Sequence, residues 1–143
     1  LGSIKENKVV SSKYYLSTRY LKALENHKAR HKSKGNGFGY KILNDDEIAN
    51  AIVVGGMGRE RNLVKDERLK DFTPKTNIKG SINKKGIRRM TPREWARLQG
   101  FDDNFLIDAV SDTQLYKQFG NSVSVPAIYE TGKNLLKKLE ENA

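Results

Sequence analysis

A short polar segment near the C-terminal end of the chain has the composition of a ligand-binding turn. Gly120, Asn121 and Ser122 follow a run of residues that predicts a helix. A glycine after a helix allows left-handed backbone, and Asn and Ser then offer short side chains and backbone N–H groups to a polar or anionic ligand. A plain helix C-cap is the alternative interpretation. The segment is therefore a candidate binding site.

Two arginines follow a glycine-rich segment in the middle of the chain. Arg59 and Arg61 come directly after Gly55-Gly56-Met57-Gly58, so a loop could project both guanidinium groups outward. An arginine fork fits O6 and N7 of guanine in the major groove of DNA. The alternative is surface charge that pairs with Glu60 or Asp66.

The chain offers little chemistry for metal binding or nucleophilic catalysis. His27 and His31 are four residues apart, a helical spacing that can bind a metal ion. No third ligand is evident, and neighbouring lysines and arginines favour a solvated basic face, so no metal site is predicted. The absence of cysteine excludes disulfides, thiolate zinc sites and a thiolate nucleophile. No catalytic residue is predicted in this chain.

The charge of the chain points to nucleic acid or to another acidic partner. The 143 residues carry a net charge of +10, and the pI is about 9.8. Residues 1–44 hold ten Lys or Arg and two acids, and residues 73–100 hold eight and one, whereas the segments between and after them are mildly acidic. This alternation indicates a folded body with a basic face. Candidate contacts within the two basic blocks are Lys32, Lys34, Asn36, Lys84 and Lys85.

The N-terminal half predicts one helix and two strands. Ser17 can cap a helix to about Lys32, with Tyr20, Leu21 and Leu24 on one face. Strands are predicted over residues 38–43 and 49–54, where apolar and β-branched residues concentrate. Residues 65–86 are rich in charge, Gly, Asn and Ser, and they predict loops with short strands.

The C-terminal part predicts three helices. Thr91, Pro92 and Glu94 form a capping-box pattern for a helix that Gly100 closes. Ser111 and Gln114 repeat the pattern for a second helix that Gly120 ends. Pro126 can open a third helix with Ile128, Leu135 and Leu139 roughly on one face.

The predicted fold class is α+β with two lobes. Residues 1–13 form an N-terminal extension, residues 14–86 a small, irregular, strand-containing lobe, and residues 87–143 a helical lobe. No apolar run is long enough to span a membrane, and no signal peptide is evident, so a cytoplasmic location is predicted. The chain does not begin with Met, which indicates processing or a longer parent sequence.

Two segments in the helical part resemble a known enzyme family. The first is Arg88-x-x-Thr91-Pro92-x-Glu94-x-Ala96-Arg97-x-Gln99-Gly100-Phe101, and the second is Gln118-x-Gly120-Asn121-Ser122-Val123-x-Val125-Pro126. In order and spacing they resemble the ninth and tenth sequence motifs of DNA (cytosine-5) methyltransferases.

This resemblance implies a division of roles along the chain. The tenth motif implies packing against the S-adenosylmethionine pocket, with Asn121, Ser122 and Val123 at the matching positions. The region before the ninth motif, residues 14–86, would be the target recognition domain, with double-stranded DNA as its partner. The DNA contacts predicted from charge and loop position in and around this region are Lys32, Lys34, Asn36, Arg59, Arg61, Lys84 and Lys85.

Other parts of the family are absent from this chain. Its Phe-x-Gly-x-Gly cofactor loop, Pro-Cys nucleophile, Glu-Asn-Val and Gln-x-Arg-x-Arg segments do not occur. The resemblance implies that a Rossmann-like catalytic domain supplies them, and that the helical lobe packs on that domain. The catalytic half would be covalently attached or a second polypeptide, and this chain alone would be inactive.

A closer resemblance connects the chain with bacterial enzymes that methylate cytosine in CC(A/T)GG. Residues 34–40, Lys-Gly-Asn-Gly-Phe-Gly-Tyr, and residues 111–114, Ser-Asp-Thr-Gln, carry it. Val53 to Lys65 differ from that subgroup, so the target sequence is left open. Trp95 and Asp102 replace the commoner Cys and Pro of the ninth motif, at positions that are not catalytic in the family.

Two other classes of function are compatible with the charge. A non-enzymatic, sequence-specific DNA-binding module explains the basic blocks equally well, but it has no use for a cofactor-pocket turn. An RNA-binding domain would show stacking aromatic residues on a sheet, for which Phe38 and Tyr40 are slight support. The sequence therefore favours the DNA-recognising part of a methyltransferase.

Overall fold

The chain forms two compact units, Leu1–Thr91 and Pro92–Ala143. The computed structural model describes residues 1–37, 39–55, 57–73 and 80–142. Phe38, Gly56 and residues 74–79, on which parts of the strand, turn and loop predictions fall, lie outside the described residues. In the described parts, a small sheet and several helices agree with the predicted α+β class.

Helix α1, Thr18–Ser33, is the main helix of the first unit. The Ser17 hydroxyl accepts the Tyr20 N–H at 3.1 Å, which satisfies one of the N–H groups that a helix start leaves free. Leu21 and Leu24 are buried on the predicted face. The predicted cap, length and apolar face of this helix are confirmed.

Three short strands form the sheet against which α1 packs. Strand β1 is Lys41–Leu43, β2 is Asn62–Lys65 and β3 is Ile87–Arg89. The order is β1-β2-β3, with β1 and β2 parallel and β2 and β3 antiparallel. One apolar cluster joins α1 to this sheet and contains Leu16, Leu21, Leu24, Leu63 and Ile87.

The predicted strand over residues 49–54 is wrong. These residues have no regular secondary structure, and Val53 and Val54 remain exposed. The place beside β1 is occupied by β2, whose Leu63 and Val64 are fully buried. An apolar, β-branched run forms a strand only where a partner strand is available, because its backbone groups need hydrogen bonds.

A buried charge network closes the first unit. Arg88 on β3 donates from Nε to Asp66 at 2.9 Å, and both side chains are completely buried. Arg68 donates to the same carboxylate at 2.8 Å and also to the backbone carbonyls of Glu6 and Asn7. This network ties the N-terminal segment to the sheet, so the leading arginine of the ninth-motif segment is a structural residue.

Asp66 remains ionised in this environment. Burial would raise the pKa of its carboxyl group, but hydrogen bonds from Arg68 and Arg88 outweigh burial and hold the pKa well below its usual range. Burial, together with the negative charge of Asp66, raises the pKa of the adjacent Tyr15 to about 12. Tyr15 is therefore a neutral phenol at physiological pH.

The boundary between the units lies after Thr91, five residues beyond the predicted end of the first lobe at residue 86. The difference arises because β3 begins at Ile87 and pairs with β2 of the first unit. The ninth-motif segment therefore starts as a strand of one unit and continues as a helix of the other.

The second unit contains three helices in its described part. Helix α2 is Pro92–Leu98, α3 is Asp112–Asn121 and α4 is Val125–Glu141. Pro92 begins α2 as predicted, and Ser111 accepts the Gln114 N–H at the start of α3. Trp95 and Tyr116 pack edge to face at 4.9 Å, which joins α2 to α3.

Among the described residues, no helix is long and apolar enough to cross a membrane. The cytoplasmic location stays a prediction.

Candidate functional sites

The end of α1 brings three predicted DNA contacts together. Lys32, Lys34 and Asn36 are all exposed there. The N–H groups of Lys34 and Asn36 both donate to the His31 carbonyl, at 3.1 and 3.0 Å, and Gly35 takes a φ of +74°. The backbone turn therefore holds two cationic side chains and one amide at an exposed helix end.

His31 adds little positive charge to this turn at neutral pH. The rings of His27 and His31 lie 4.3 Å apart between centroids. Partial desolvation, followed by the nearby cations, lowers the pKa of His31. In the described parts of the chain, no group of three His, Asp or Glu side chains is placed to hold a metal ion.

The predicted contacts Lys84 and Lys85 lie at the tip of a second exposed turn. The buried side chain of Asn83 donates to the carbonyls of Leu16 and Ile87, at 2.7 Å each, and accepts the Ile87 N–H at 2.9 Å. These three bonds close the turn against the body of the first unit. Both lysines therefore project from a rigid base.

Further cations line the surface of α1 between these two turns. Glu25 lies 3.8 Å from Lys85 and 3.6 Å from Lys22, so one carboxylate is shared by two lysines. Lys28 donates to the Tyr40 carbonyl at 3.0 Å and lies over the Tyr40 ring. The α1 surface therefore keeps an excess of positive charge, as the basic blocks predicted.

Arg59 and Arg61 flank a buried acid. Glu60 is 4% exposed and forms an ion pair with Arg89 of β3 at 2.8 Å. Arg59 is half-buried, whereas Arg61 is exposed immediately before β2. The carboxylate of Asp66 is occupied by other arginines. Glu60 and Asp66, which the sequence suggested as pairing partners for Arg59 and Arg61, therefore each form an ion pair with another arginine.

The predicted helix stop at Gly120 is wrong. Gly120 lies inside α3, which continues to Asn121. The stop is Ser122, which takes an extended conformation and directs both its N–H and its hydroxyl to the Phe119 carbonyl, at 3.3 and 3.1 Å. A local side-chain bond ends the helix, so no left-handed glycine is needed.

The three predicted cofactor positions lie together just after this stop. Asn121 and Val123 are exposed, with Val123 at 61%, and Ser122 is half-buried. An exposed amide and an exposed apolar group beside each other suit a ligand with polar and apolar parts. We call Asn121, Ser122 and Val123 the cofactor turn.

Gln99, which the sequence analysis treated only as part of a motif, and Gly100, which it treated as a helix end, lie close to the segment around this turn. Gln99 donates from Nε2 to the carbonyls of Phe119 and Ser122, at 2.9 and 3.3 Å. Its own carbonyl accepts the Val125 N–H at 2.8 Å. No signal in the sequence indicated this contact, because only the tenth motif was expected to lie against the cofactor pocket.

Comparison with known proteins identifies the family. The model of the C-5 cytosine-specific DNA methylases matches residues 1–137. The chain is 69% identical over 138 residues to the type II methyltransferase M.HpaII of Haemophilus parainfluenzae, covering 96% of this chain and 38% of that protein. It is 38% identical to M1.ScrFI of Lactococcus lactis, covering 99% and 32%. The chain therefore spans about a third of the length of these relatives.

A solved structure shows the same fold. A methyltransferase of Entamoeba histolytica superposes with a TM-score of 0.66 at 21% identity, covering 96% of this chain and 40% of that one. With the family model matching nearly its whole length, the chain belongs to the C-5 cytosine-specific DNA methylase family.

Proposed function

We propose that this chain is the DNA-recognising part of a DNA (cytosine-5) methyltransferase, and that it also completes the S-adenosylmethionine pocket. The family match over residues 1–137 carries this proposal. The alternative of a free-standing DNA-binding module leaves the ninth and tenth motifs without a role. The whole enzyme would transfer a methyl group from S-adenosylmethionine to cytosine within a specific duplex site.

The first unit supplies DNA recognition in this proposal. Its exposed cations lie on separate turns that the core holds rigidly, which suits contacts to successive phosphates. Each neutralised phosphate releases condensed counterions, so affinity should fall steeply with salt. Arg61, exposed immediately before β2, and the neighbouring Arg59 supply base contacts in this proposal.

The second unit supplies part of the cofactor pocket. The amide of Asn121 and the backbone groups of the cofactor turn fit the polar amino-acid portion of S-adenosylmethionine, and the exposed Val123 side chain fits an apolar wall. When bound, S-adenosylmethionine supplies the methyl group. The residues of this chain bind and orient it.

Helix α4 supports the proposed catalytic partner. None of its residues is buried, and its apolar side chains are spaced along one stripe with exposures of 40–67%. Exposed apolar surface of this extent is typical of an interface. The chain spans only about a third of its relatives, so we assign the missing catalytic part as the cover of this stripe. The stripe consists of Val125, Ile128, Tyr129, Leu135, Leu136 and Leu139.

Methyl transfer requires groups from that partner. Attack on C6 of a flipped cytosine needs a cysteine thiolate, and this chain has no cysteine. The purified chain should therefore transfer no tritiated methyl groups to DNA, and addition of a cysteine-bearing catalytic part should restore transfer. Incorporation by the pure chain would contradict the proposal.

A pair of titrations on the assembled enzyme separates the two roles. Arg59→Ala and Arg61→Ala should reduce discrimination between matched and mismatched duplexes by about 1–3 kcal/mol per lost base contact, with cofactor affinity unchanged. Asn121→Ala should weaken S-adenosylmethionine binding by about 1–2 kcal/mol and leave DNA specificity intact. If Asn121→Ala binds the cofactor normally, the turn is only a helix end.

A further inference from the structure

The side chain of Gln99 connects the end of α3 to the segment that follows it. From Nε2 it donates to the Phe119 carbonyl on one side of Asn121 and to the Ser122 carbonyl on the other, at 2.9 and 3.3 Å. Its backbone carbonyl accepts the Val125 N–H at 2.8 Å. One residue therefore contacts the backbone both before and after Asn121.

Close packing fixes the position from which Gln99 acts. Gly100 takes a φ of +85°, and a Cβ atom there would lie 2.4 Å from Cδ of Pro126. The rings of Phe101 and Phe119 pack at 5.4 Å between centroids. Gly100 lies close against Pro126, and Phe101 packs against Phe119 of α3. The backbone next to Gln99 therefore has little freedom to move away from α3.

The chemistry of the contact requires a neutral donor with two hydrogens. The last carbonyl oxygens of a helix lack partners within the helix and carry the negative end of its dipole. An amide NH₂ can donate to one such oxygen, here that of Phe119, and at the same time to a second carbonyl, here that of Ser122. A carboxylate has no hydrogen to donate and adds a negative charge, and a methyl group leaves the Phe119 carbonyl without this donor.

We propose that Gln99 is a positioning residue that holds the cofactor turn in the geometry that binds S-adenosylmethionine. It acts through the backbone on either side of Asn121. This inference rests on the proposed cofactor role of the turn.

The isosteric variant Gln99→Glu provides the test, because protonation can restore its donor. In the assembled enzyme at pH 8, the carboxylate should weaken S-adenosylmethionine binding at least tenfold relative to wild type, about the scale of one lost hydrogen bond. As the pH falls towards 4, near the ordinary pKa of a glutamate side chain, the carboxylic acid regains one O–H donor, and the affinity ratio to wild type should recover in part. Gln99→Ala should show a similar loss at every pH, and the Kd for DNA should change little in either variant.

Gln114→Glu is the matched control. Gln114 lies exposed in the first turn of α3, so the same chemical change there should leave cofactor affinity unaltered at each pH. A second measurement on the chain by itself follows hydrogen exchange of the Ser122 and Val125 amides. Both are hydrogen-bonded in the wild type, and both should exchange faster in Gln99→Ala.

The outcomes separate this inference from the proposal beneath it. Loss of cofactor affinity in Asn121→Ala together with pH-dependent recovery in Gln99→Glu supports both. Loss in Asn121→Ala, with Gln99→Glu like wild type at pH 8, overturns the positioning role alone. Normal cofactor binding in Asn121→Ala and in both Gln99 variants overturns the cofactor role of the turn and the inference with it.

Discussion

The first unit of the chain and helix α4 of the second place their apolar and charged residues in different ways. The first unit, Leu1–Thr91, encloses two apolar clusters and a fully buried Asp66–Arg88 ion pair, and it presents lysines on exposed turns. In the second unit, α4 buries none of its residues and exposes an apolar stripe. A unit with its own core and a cationic surface suits DNA, whereas a helix with an uncovered apolar face suits another protein surface.

The largest effect should come from the buried charge of the first unit. Asp66→Ala leaves Arg88 buried without its carboxylate, which should lower the free energy of unfolding of this unit by about 3–5 kcal/mol. The loss is measured by urea unfolding, with hydrogen exchange in peptides from residues 12–33 as the probe of this unit. Asp45→Ala, which removes an exposed partner of Lys5, is the control and should cost under about 1 kcal/mol. Equal losses in the two variants would contradict the role of the buried pair.

The carboxylate of Asp66 should make the free energy of unfolding of the first unit depend on pH. Its pKa is depressed in the folded chain, so its stabilising contribution is present above its unfolded pKa of about 3.9 and is lost as the pH falls through the lower folded value. The difference in stability between wild type and Asp66→Asn should therefore stay constant from pH 8 to about pH 5 and narrow in stronger acid.

A backbone change should give the next largest effect, in the second unit. Gly100→Ala forces a side chain into left-handed backbone and against Pro126, at a cost of about 2 kcal/mol. Trp95, the single tryptophan of the chain, is buried in α2 and reports unfolding of this unit by fluorescence. Gly132→Ala on α4 is the control, because its new Cβ meets no atom within 4 Å and should stabilise the helix by up to about 1 kcal/mol.

Removing lysines from the first unit should change the salt dependence of DNA binding more than removing lysines from α4 of the second unit. The double variant Lys32→Ala and Lys34→Ala should flatten the log–log salt dependence of duplex binding by up to about two units, with little change in sequence preference. The control pair, Lys137→Ala and Lys138→Ala, removes two exposed lysines from α4 and should leave the slope unchanged. Fluorescence anisotropy titrations at several salt concentrations compare the two double variants. Equal slopes would mean that the position of the lysines does not matter for DNA binding.

The smallest effect in the isolated chain should come from the apolar stripe. Leu135→Ser changes a side chain that is 60% exposed, so Trp95 fluorescence should show a change in unfolding free energy within about 0.5 kcal/mol. The same variant should weaken association with the catalytic part, measured by co-purification and titration. Unaltered association would mean that the stripe is not the interface.

Features built from neighbouring residues could be predicted from the sequence. The start of α1 depends on one hydroxyl and an N–H three residues later, and the start of α3 repeats this arrangement. The exposure of Lys32, Lys34, Lys84 and Lys85 follows from their polar, glycine-containing surroundings. These features needed no information about distant parts of the chain.

Features that depend on contacts between distant segments could not be predicted from the sequence. The run at residues 49–54 has strand composition, yet β2 occupies the place beside β1, and Glu60 pairs with Arg89 from a strand far along the chain. The Gln99 side chain contacts the Phe119 and Ser122 carbonyls, some twenty residues further along the chain, which the motif letters did not indicate. Each outcome was decided by which partner was nearest in space.

The sequence by itself determined the family, the α+β class, the capped helices and the basic blocks, because motif order, capping patterns and charge are local properties. Tertiary structure alone decided that Arg88 is a buried structural residue, that the unit boundary follows Thr91, and that Gln99 holds the backbone around Asn121. Those contacts join residues that are far apart in sequence, so they exist only once the chain has folded and buried groups have found hydrogen-bond partners.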